Sequence, residues 1–397
     1  MPNFTQIKED IQTMTKSEKC ILISIVCMFI NTYLLIAFAM IVLISEFLKG
    51  NLVAEIKEQP GYKVLYLFAT LGLVVAIVHQ NMTGAVNSIG FIILFLYMAY
   101  YRKHISSKLI YYVIETIIIG SIFMNIYGLF QFKYLSNLSG YSFFDFKVQN
   151  SPSKRITGTY WNANFYAMMI EFTIVLCMLR FVQNKKFSLK IWYVVIGLFN
   201  IVLMYLTGCR AAFMPFVLFV PLFLYISKEK KWCLASVLCI VAFVAAFYFF
   251  PNLIPRSSDV STVNSRVEIW TCAIHGIKDY PLFGQGFQAY QLIYPIYDGH
   301  KATHAHNIYL DVLINFGIVG TLLLIRYSIY IAKDVLSLRH WKDHPEYFGI
   351  ALSFAIILLI HGTMDCTINM PSTAFVFLLI MNMNALKENI VLKDNYD

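Results

Sequence analysis

The chain has 397 residues, of which 59% are hydrophobic and only 13% charged, with a mean hydropathy of +0.65. An ordinary soluble domain carries about 25% charged residues, so a water-soluble globular protein is excluded. The formal net charge of +9 would suggest nucleic acid as a partner in a soluble protein. Here Lys and Arg fall in short loops between apolar runs, which is how the positive-inside rule orients membrane helices, and no nucleic acid is expected.

The expected fold is an all-α polytopic membrane protein with about twelve transmembrane helices and one large extracytoplasmic loop that holds amphipathic helices. Residues 1–18 read as a cytoplasmic N-terminus. Residues 19–48 are either one long tilted span or a hairpin turning near residues 31–33. Basic residues on both flanks (Lys8, Lys16 and Lys19, then Lys49, Lys57 and Lys63) favour the hairpin. Further helices are predicted at 62–79, 84–101, 108–130, 160–182, 189–207, 209–227, 231–251, 307–332, 346–363 and 367–386. Each is close to the length that crosses a hydrocarbon core of about 30 Å. The spans divide into residues 19–251, with helices 1–9, and residues 306–386, with helices 10–12; residues 387–397 form a cytoplasmic tail. The basic loops at 102–108, 185–190, 228–231 and 333–342 read as cytoplasmic, which puts 131–159 and 252–305 outside. The first apolar segment is too long for a signal peptide and has no small-residue cleavage site. Eight scattered cysteines with no Cys-x-x-Cys give neither a disulfide framework nor a metal motif.

The 252–305 loop is the chemically loaded segment. Ser265-Arg266-Val267-Glu268 reads as a capping box that opens a helix. Val267, Trp270, Ile274 and Ile277 follow at helical spacing, and Pro281, Gly284 and Gly286 end it. A helix N-terminus favours anions, and Arg266 there would add a fork suited to phosphate; a plain solvated arginine is the competing reading. Arg210 closes a span at Thr207-Gly208-Cys209, where an arginine either snorkels to headgroups or marks a substrate pathway.

His306 stands where this loop meets an apolar helix, which places an imidazole, a side chain able to act as a base, at the membrane–water boundary. Asn307, Asp311 and Asn315 continue from it as one polar stripe down a span, so they must face the bundle interior or water. The stripe would be either a structural network or a sugar-holding face. Asp298, His300, His304 and His306 invite a metal reading, but no paired-histidine helix motif or second carboxylate supports it, and no metal or other cofactor is expected. Glu171 shares a helix face with Asn164, and His361 with Asp365, as intramembrane polar pairs that either glue helices or serve a site.

Several segments, in order, resemble the bacterial O-antigen ligase and polymerase family. They are Gly158-Thr159-Tyr160-Trp161-Asn162-Ala163-Asn164, Thr207-Gly208-Cys209-Arg210-Ala211-Ala212, and Arg266 to Trp270 with Asp279-Tyr280-Pro281-Leu282-Phe283-Gly284-Gln285-Gly286. The fourth is His306-Asn307, followed nine residues later by Gly317-Ile318-Val319-Gly320-Thr321; His361 and Asp365 recur near the end. The resemblance spans about residues 155 to 385. It implies a metal-independent, inverting glycosyltransferase in the bacterial cytoplasmic membrane, working on the extracytoplasmic face. The donor would be a glycan on undecaprenyl diphosphate, and the acceptor a hydroxyl of a saccharide or glycolipid in the bilayer. His306 would be the catalytic base, with Arg210 and Arg266 on the diphosphate. Asn162, Asn164, Trp270, His304, Asn307, Asp311, His361 and Asp365 are further candidates for substrate contact. A transporter or flippase of lipid-linked oligosaccharides is the alternative, since it too needs polar intramembrane residues and a basic cavity. No internal repeat of the kind many transporters show is visible.

Overall fold

Backbone groups in a hydrocarbon core must be hydrogen-bonded within the protein, and a chain this apolar meets that demand with helices. The computed structural model describes residues 4–386 apart from residues 146, 147, 149–153, 258, 260 and 342; the tail expected at 387–397 lies outside the described residues. Sixteen α-helices are found among the described residues, and no strand. They are α1 (Phe4–Thr13), α2 (Lys16–Ile30), α3 (Thr32–Leu48), α4 (Leu52–Glu58), α5 (Tyr62–Val78), α6 (Met82–His104), α7 (Ser107–Leu138) and α8 (Ala163–Gln183). There follow α9 (Phe187–Thr207), α10 (Phe216–Ile226), α11 (Lys230–Phe249), α12 (Ser261–Asp279), α13 (Tyr290–Ile293), α14 (Ile308–Ser337), α15 (Pro345–His361) and α16 (Pro371–Met381).

Six of these (α6, α7, α8, α9, α11, and α14 with its extension to His340) are long and apolar enough to cross a membrane. The α3–α4 pair, bent by 107°, qualifies as a seventh. Tyr62–Val78, Arg210–Ile226, Pro345–His361 and Pro371–Ala385 are shorter apolar helices. The chain is a multi-pass helical membrane protein.

Residues 19–48 do not form one span. Asn31, extended at φ −165° and ψ 141°, ends α2, and its side chain caps α3 by accepting from the Tyr33 amide. The chain reverses there, and α2 packs against α3. Its first turn is held by a capping box between Thr15 and Glu18, and Glu18 also accepts from Ser106 at the start of α7. The core is built around α8, which is buried on nearly every side and packs against α9, α15 and α7. Lipid tails are as apolar as leucine, so close packing and polar links do what water exclusion does in soluble cores. Arg180 on α8 pairs with Glu115 on α7 at 2.7 Å, and Tyr193 on α9 donates to the same carboxylate. By contrast α11 has no buried residue and packs mainly on α10 at the edge of the bundle, with Trp232 against Phe181 of α8.

The helix expected at 108–130 runs on to Leu138, into the segment expected as loop from residue 131, and the one expected at 367–386 is α-helical only over Pro371–Met381; three further differences shape the site. The helix expected at 209–227 begins with a tight 3-10 turn, Arg210–Phe213, and its α-helical part starts only at Phe216. The capping box expected at Ser265 does not form. The helix begins a turn earlier, at Ser261, and the Ser265 hydroxyl donates to the Ser261 carbonyl inside it. Arg266 therefore sits in the second turn, away from the exposed N–H groups. Finally, α14 is broken at Gly317, whose φ of 60° and ψ of −167° lie where only glycine is comfortable. The segment between α12 and α13 plugs into this break. Ile318 and Val319 donate to the carbonyls of Pro281 and Leu282, while Gln285 and Gly286 donate to those of Ile314 and Asn315.

Candidate active site

The site lies at the bundle end where α14 begins and α15 finishes. Asn307 caps α14, its side-chain oxygen accepting from the amides of Tyr309 and Leu310. Its side-chain amide donates to the Thr363 carbonyl, and the Ile308 amide donates to Gly362. These bonds fasten the start of α14 to the turn after α15. His306, one residue earlier, adopts φ 47°, a left-handed backbone that costs a non-glycine residue about 1–2 kcal/mol. That strained conformation lays its ring beside Asp365.

Asp365 is the hub. It is 1% exposed and accepts from four groups. His304 Nε2 lies 2.6 Å and His306 Nδ1 3.0 Å from its Oδ1, the Cys366 amide donates to that oxygen at 2.8 Å, and Asn164 Nδ2 donates to its Oδ2. Burial alone would raise the carboxyl, but the charges of His306 and His304 hold it well below the usual aspartate range. For His304, burial opposes protonation, and the Asp365 charge overrides it and raises the imidazole. An acceptor at Nδ1 places the His306 proton there, so in the neutral ring the Nε2 atom carries the lone pair. Nε2 has no hydrogen-bond partner among the described residues, and the side chain is 23% exposed.

Asn164 passes the hub's influence to an arginine. It stands in the first turn of α8, capped by Asn162, and its side-chain oxygen accepts from Arg155 at 2.7 Å. Arg155 also donates from Nε to the Thr207 carbonyl at 2.6 Å. Burial, with Arg256 and Arg266 nearby, pushes its guanidinium down to about 10. Arg210 donates to the carbonyls of Arg256 and Asp259. Arg256 pairs with Asp259 and donates to Thr262. Burial works against the charge on Asp259, yet donors from Ser261, Thr262 and Arg256 hold its carboxyl well below its usual range. Gly208, at φ 64°, leaves room for this gathering, since a Cβ there would sit 3.0 Å from Arg256 Cδ. Arg266 is half-buried, and no hydrogen bond to it is found among the described residues; its charge reaches both Arg155 and Arg210. Arg155 and Arg210 each feel the charges of Arg256 and Arg266, with Asp365 the carboxylate acting on the first and Asp259 on the second, and such a concentration of positive charge favours an anion.

One layer deeper, His361 Nδ1 lies 2.6 Å from Glu171 Oε2, and its Nε2 lies 3.7 Å from the Cys209 sulfur, all three side chains being buried. The intrahelical pairs read from the sequence are therefore exchanged. Asn164 pairs with Asp365 and Glu171 with His361, so the two polar rungs run between α8 and the α15 end.

The remaining candidates have partners within the fold. Asp311 accepts from the Ala305 amide and from the side chains of Asn315 and Asn369, and Asn315 accepts from the Ala289 amide. These bonds tie the polar stripe to the loop. Trp270 packs beside the apolar cluster of Ile269, Ala305 and Ile314. His300 lies 3.9 Å from Glu268, apart from His304. The histidine cluster that could hold a metal is His304 and His306 with Asp365, not with Asp298 and His300. Arg155 and Arg256 were not singled out from the sequence. Arg155 sits in a polar run, Ser151-Pro152-Ser153-Lys154-Arg155, that resembles a solvated loop; its one signal is position, seven residues before the Asn162 cap.

A family model described as O-antigen ligase matches residues 192–325. Residues 192–325 belong to the O-antigen ligase family. No curated protein matches the chain. The O-antigen ligase segment holds Arg210, Arg266, His304, His306 and the broken helix. Arg155, Asn164, Glu171, His361 and Asp365 lie outside it, so the hub of the site is supplied by parts of the chain on either side.

Proposed function

We propose that the protein is a membrane glycosyltransferase of the O-antigen ligase type, acting as a ligase or polymerase on an undecaprenyl-diphosphate-linked glycan. The carrying observation is His306, whose Nδ1 is engaged by Asp365 while its Nε2 has no hydrogen-bond partner among the described residues, with Asp365 linked through Asn164 to Arg155. An acceptor hydroxyl gives its proton to Nε2 as its oxygen forms the bond to the anomeric carbon, and the bond from that carbon to the diphosphate breaks. Attack opposite the leaving group inverts the centre. Asp365 keeps the imidazole in the required tautomer and stabilises the imidazolium that forms, the logic of a histidine–carboxylate pair in acyl transfer. The leaving diphosphate gains charge, and preorganised guanidinium groups stabilise such charge most effectively where water is scarce. Arg210 and Arg266 are the diphosphate ligands in this reading.

The face follows from charge. The basic loops near residues 102–108, 185–190 and 228–231 sit at the other ends of the helices that form the site, so the positive-inside rule puts His306 on the outer side of the bacterial cytoplasmic membrane. The four shorter apolar helices together with α2 would complete a twelve-span bundle, with 252–305 as the outer loop. His304, His306 and Asp365 already satisfy one another, and the reaction needs no metal from them.

The test uses purified protein in proteoliposomes with lipid-linked donor and acceptor. His306→Ala should abolish transfer and keep donor binding, and wild-type transfer should survive a chelator. An active His306→Ala variant removes the base assignment, and loss of wild-type activity on chelation turns the three residues into metal ligands. Donor crossing the bilayer with no new glycosidic bond makes the protein a flippase.

A further inference from the structure

We propose that the bundle end opposite His306 carries a divalent-cation site formed by Glu46, Glu55 and His104. Glu46 stands in the last turn of α3, Glu55 on α4 and His104 at the end of α6. The 107° elbow between α3 and α4 turns Glu55 back toward Glu46 and the α6 terminus. One ligand atom from each residue lies within 4.8 Å of the others.

Two buried carboxylates side by side need positive charge, and the surroundings supply only part of it. Glu46, 4% exposed, is fully engaged, since Lys49 Nζ donates to one oxygen at 2.7 Å and Asn51 Nδ2 to the other at 3.0 Å. Glu55, 3% exposed, has a buried Oε2 with no hydrogen-bond partner. His104 Nε2 is likewise buried and unpartnered, at 3.7 Å from Glu55 Oε1. A buried acceptor left unmatched costs about 1–3 kcal/mol, and more if charged. Here an unmatched carboxylate and an unmatched imidazole nitrogen face the same point. A single cation satisfies both and adds the missing charge.

The donor set selects the ion. Two carboxylate oxygens and one imidazole nitrogen suit Zn²⁺, Mn²⁺ or Fe²⁺, whereas Mg²⁺ and Ca²⁺ prefer oxygen alone and Cu(I) prefers sulfur. The His104 side chain is 29% exposed, which leaves an entry path and room for water to complete the coordination. The bound ion would pin the α3–α4 elbow to α6. The opposite end of α6 touches the catalytic loop, because the Asn81 side chain donates to the carbonyls of Gln285 and Phe287. The two ends are 23 helical residues apart, about 34 Å, so the brace stands clear of the reaction.

The experiment titrates chelator-stripped full-length protein in nanodiscs with Zn²⁺ and with Mn²⁺, following bound metal per chain and the thermal midpoint. The expected result is one ion per chain and a raised midpoint. Glu55→Gln and His104→Ala should each weaken binding at least about tenfold and remove the midpoint rise, while His306→Ala binds as wild type does. His104→Ala changes a partly exposed side chain at a helix end, so it reports even if Glu55→Gln does not fold. Wild type that takes up no ion, or binding that survives His104→Ala, or binding lost with His306→Ala, would overturn the proposal.

Discussion

Replacing Asp365 by asparagine tests the hub with almost no change in volume. The carboxylate accepts four hydrogen bonds, from His304, His306, the Cys366 amide and Asn164. A carboxamide keeps one acceptor oxygen and turns an NH₂ toward donors on the other side. With that oxygen at the Oδ1 position the bonds from His304, His306 and the Cys366 amide remain, the Asn164 bond at Oδ2 is lost, and the two imidazole bonds lose their charge assistance. Bonds to charged groups contribute about 1.5–3 kcal/mol against about 0.5–1.5 for neutral ones, so weakening the two imidazole bonds costs about 2–3 kcal/mol. If it falls on the transition state, it corresponds to roughly a 30- to 150-fold lower rate. Donor binding should hold, because on the proposed function it rests on Arg210 and Arg266. The assay is the initial rate of glycan transfer in proteoliposomes, with donor affinity and thermal midpoint measured on the same preparation. A variant that keeps more than about a tenth of the rate refutes the orienting role. One that loses donor affinity in step with rate shows that Asp365 only holds the fold.

Arg210→Lys and Arg266→Lys should each slow transfer by about 2–4 kcal/mol, or roughly 30- to 1000-fold, because an ammonium cannot copy the guanidinium fork; transfer rates of the purified variants check this. Gly317→Ala should lower the thermal midpoint and expose residues 280–289 to protease, since the new Cβ would sit 2.4 Å from the Leu282 backbone in a conformation that itself costs about 1–3 kcal/mol. The His304–Asp365 pair should show in stability against pH. The raised His304 contributes fully below about pH 6.5, the ordinary histidine value, and loses that contribution as pH rises through its folded value. The depressed Asp365 contributes fully above about pH 3.9 and loses it as pH falls through its own folded value. The midpoint difference between wild type and His304→Gln should therefore shrink from pH 6 to pH 9, and a constant difference would remove the charge pair.

Much of the helical layout was legible because lipid imposes a length and a composition on each crossing. The His306-Asn307 junction was legible too, since an asparagine cap before an apolar run marks a helix start. Pairings between helices were not. Spacing put Asp365 on the same face as His361, but the chain turns at Gly362 and sends the two side chains to different levels of α8. Arg155 and Arg256 escaped notice because irregular segments have no period to read, and each arginine finds its place only through a tertiary partner. The capping box at Ser265 failed for a related reason. Asp259, tied to Arg256, offers the helix an earlier start than the local pattern does.

The break at Gly317 bears on how a substrate reaches His306. Residues 281–286 are joined to α14 by four main-chain hydrogen bonds, two on each side of the break, so this segment is effectively a strand of the helix's own wiring. It cannot swing away as a flap without unwinding the span beneath it. On the proposed function, a long isoprenoid carrier would then slide in sideways from the bilayer, between helices, with the broken span as a fixed wall against which the glycan is presented.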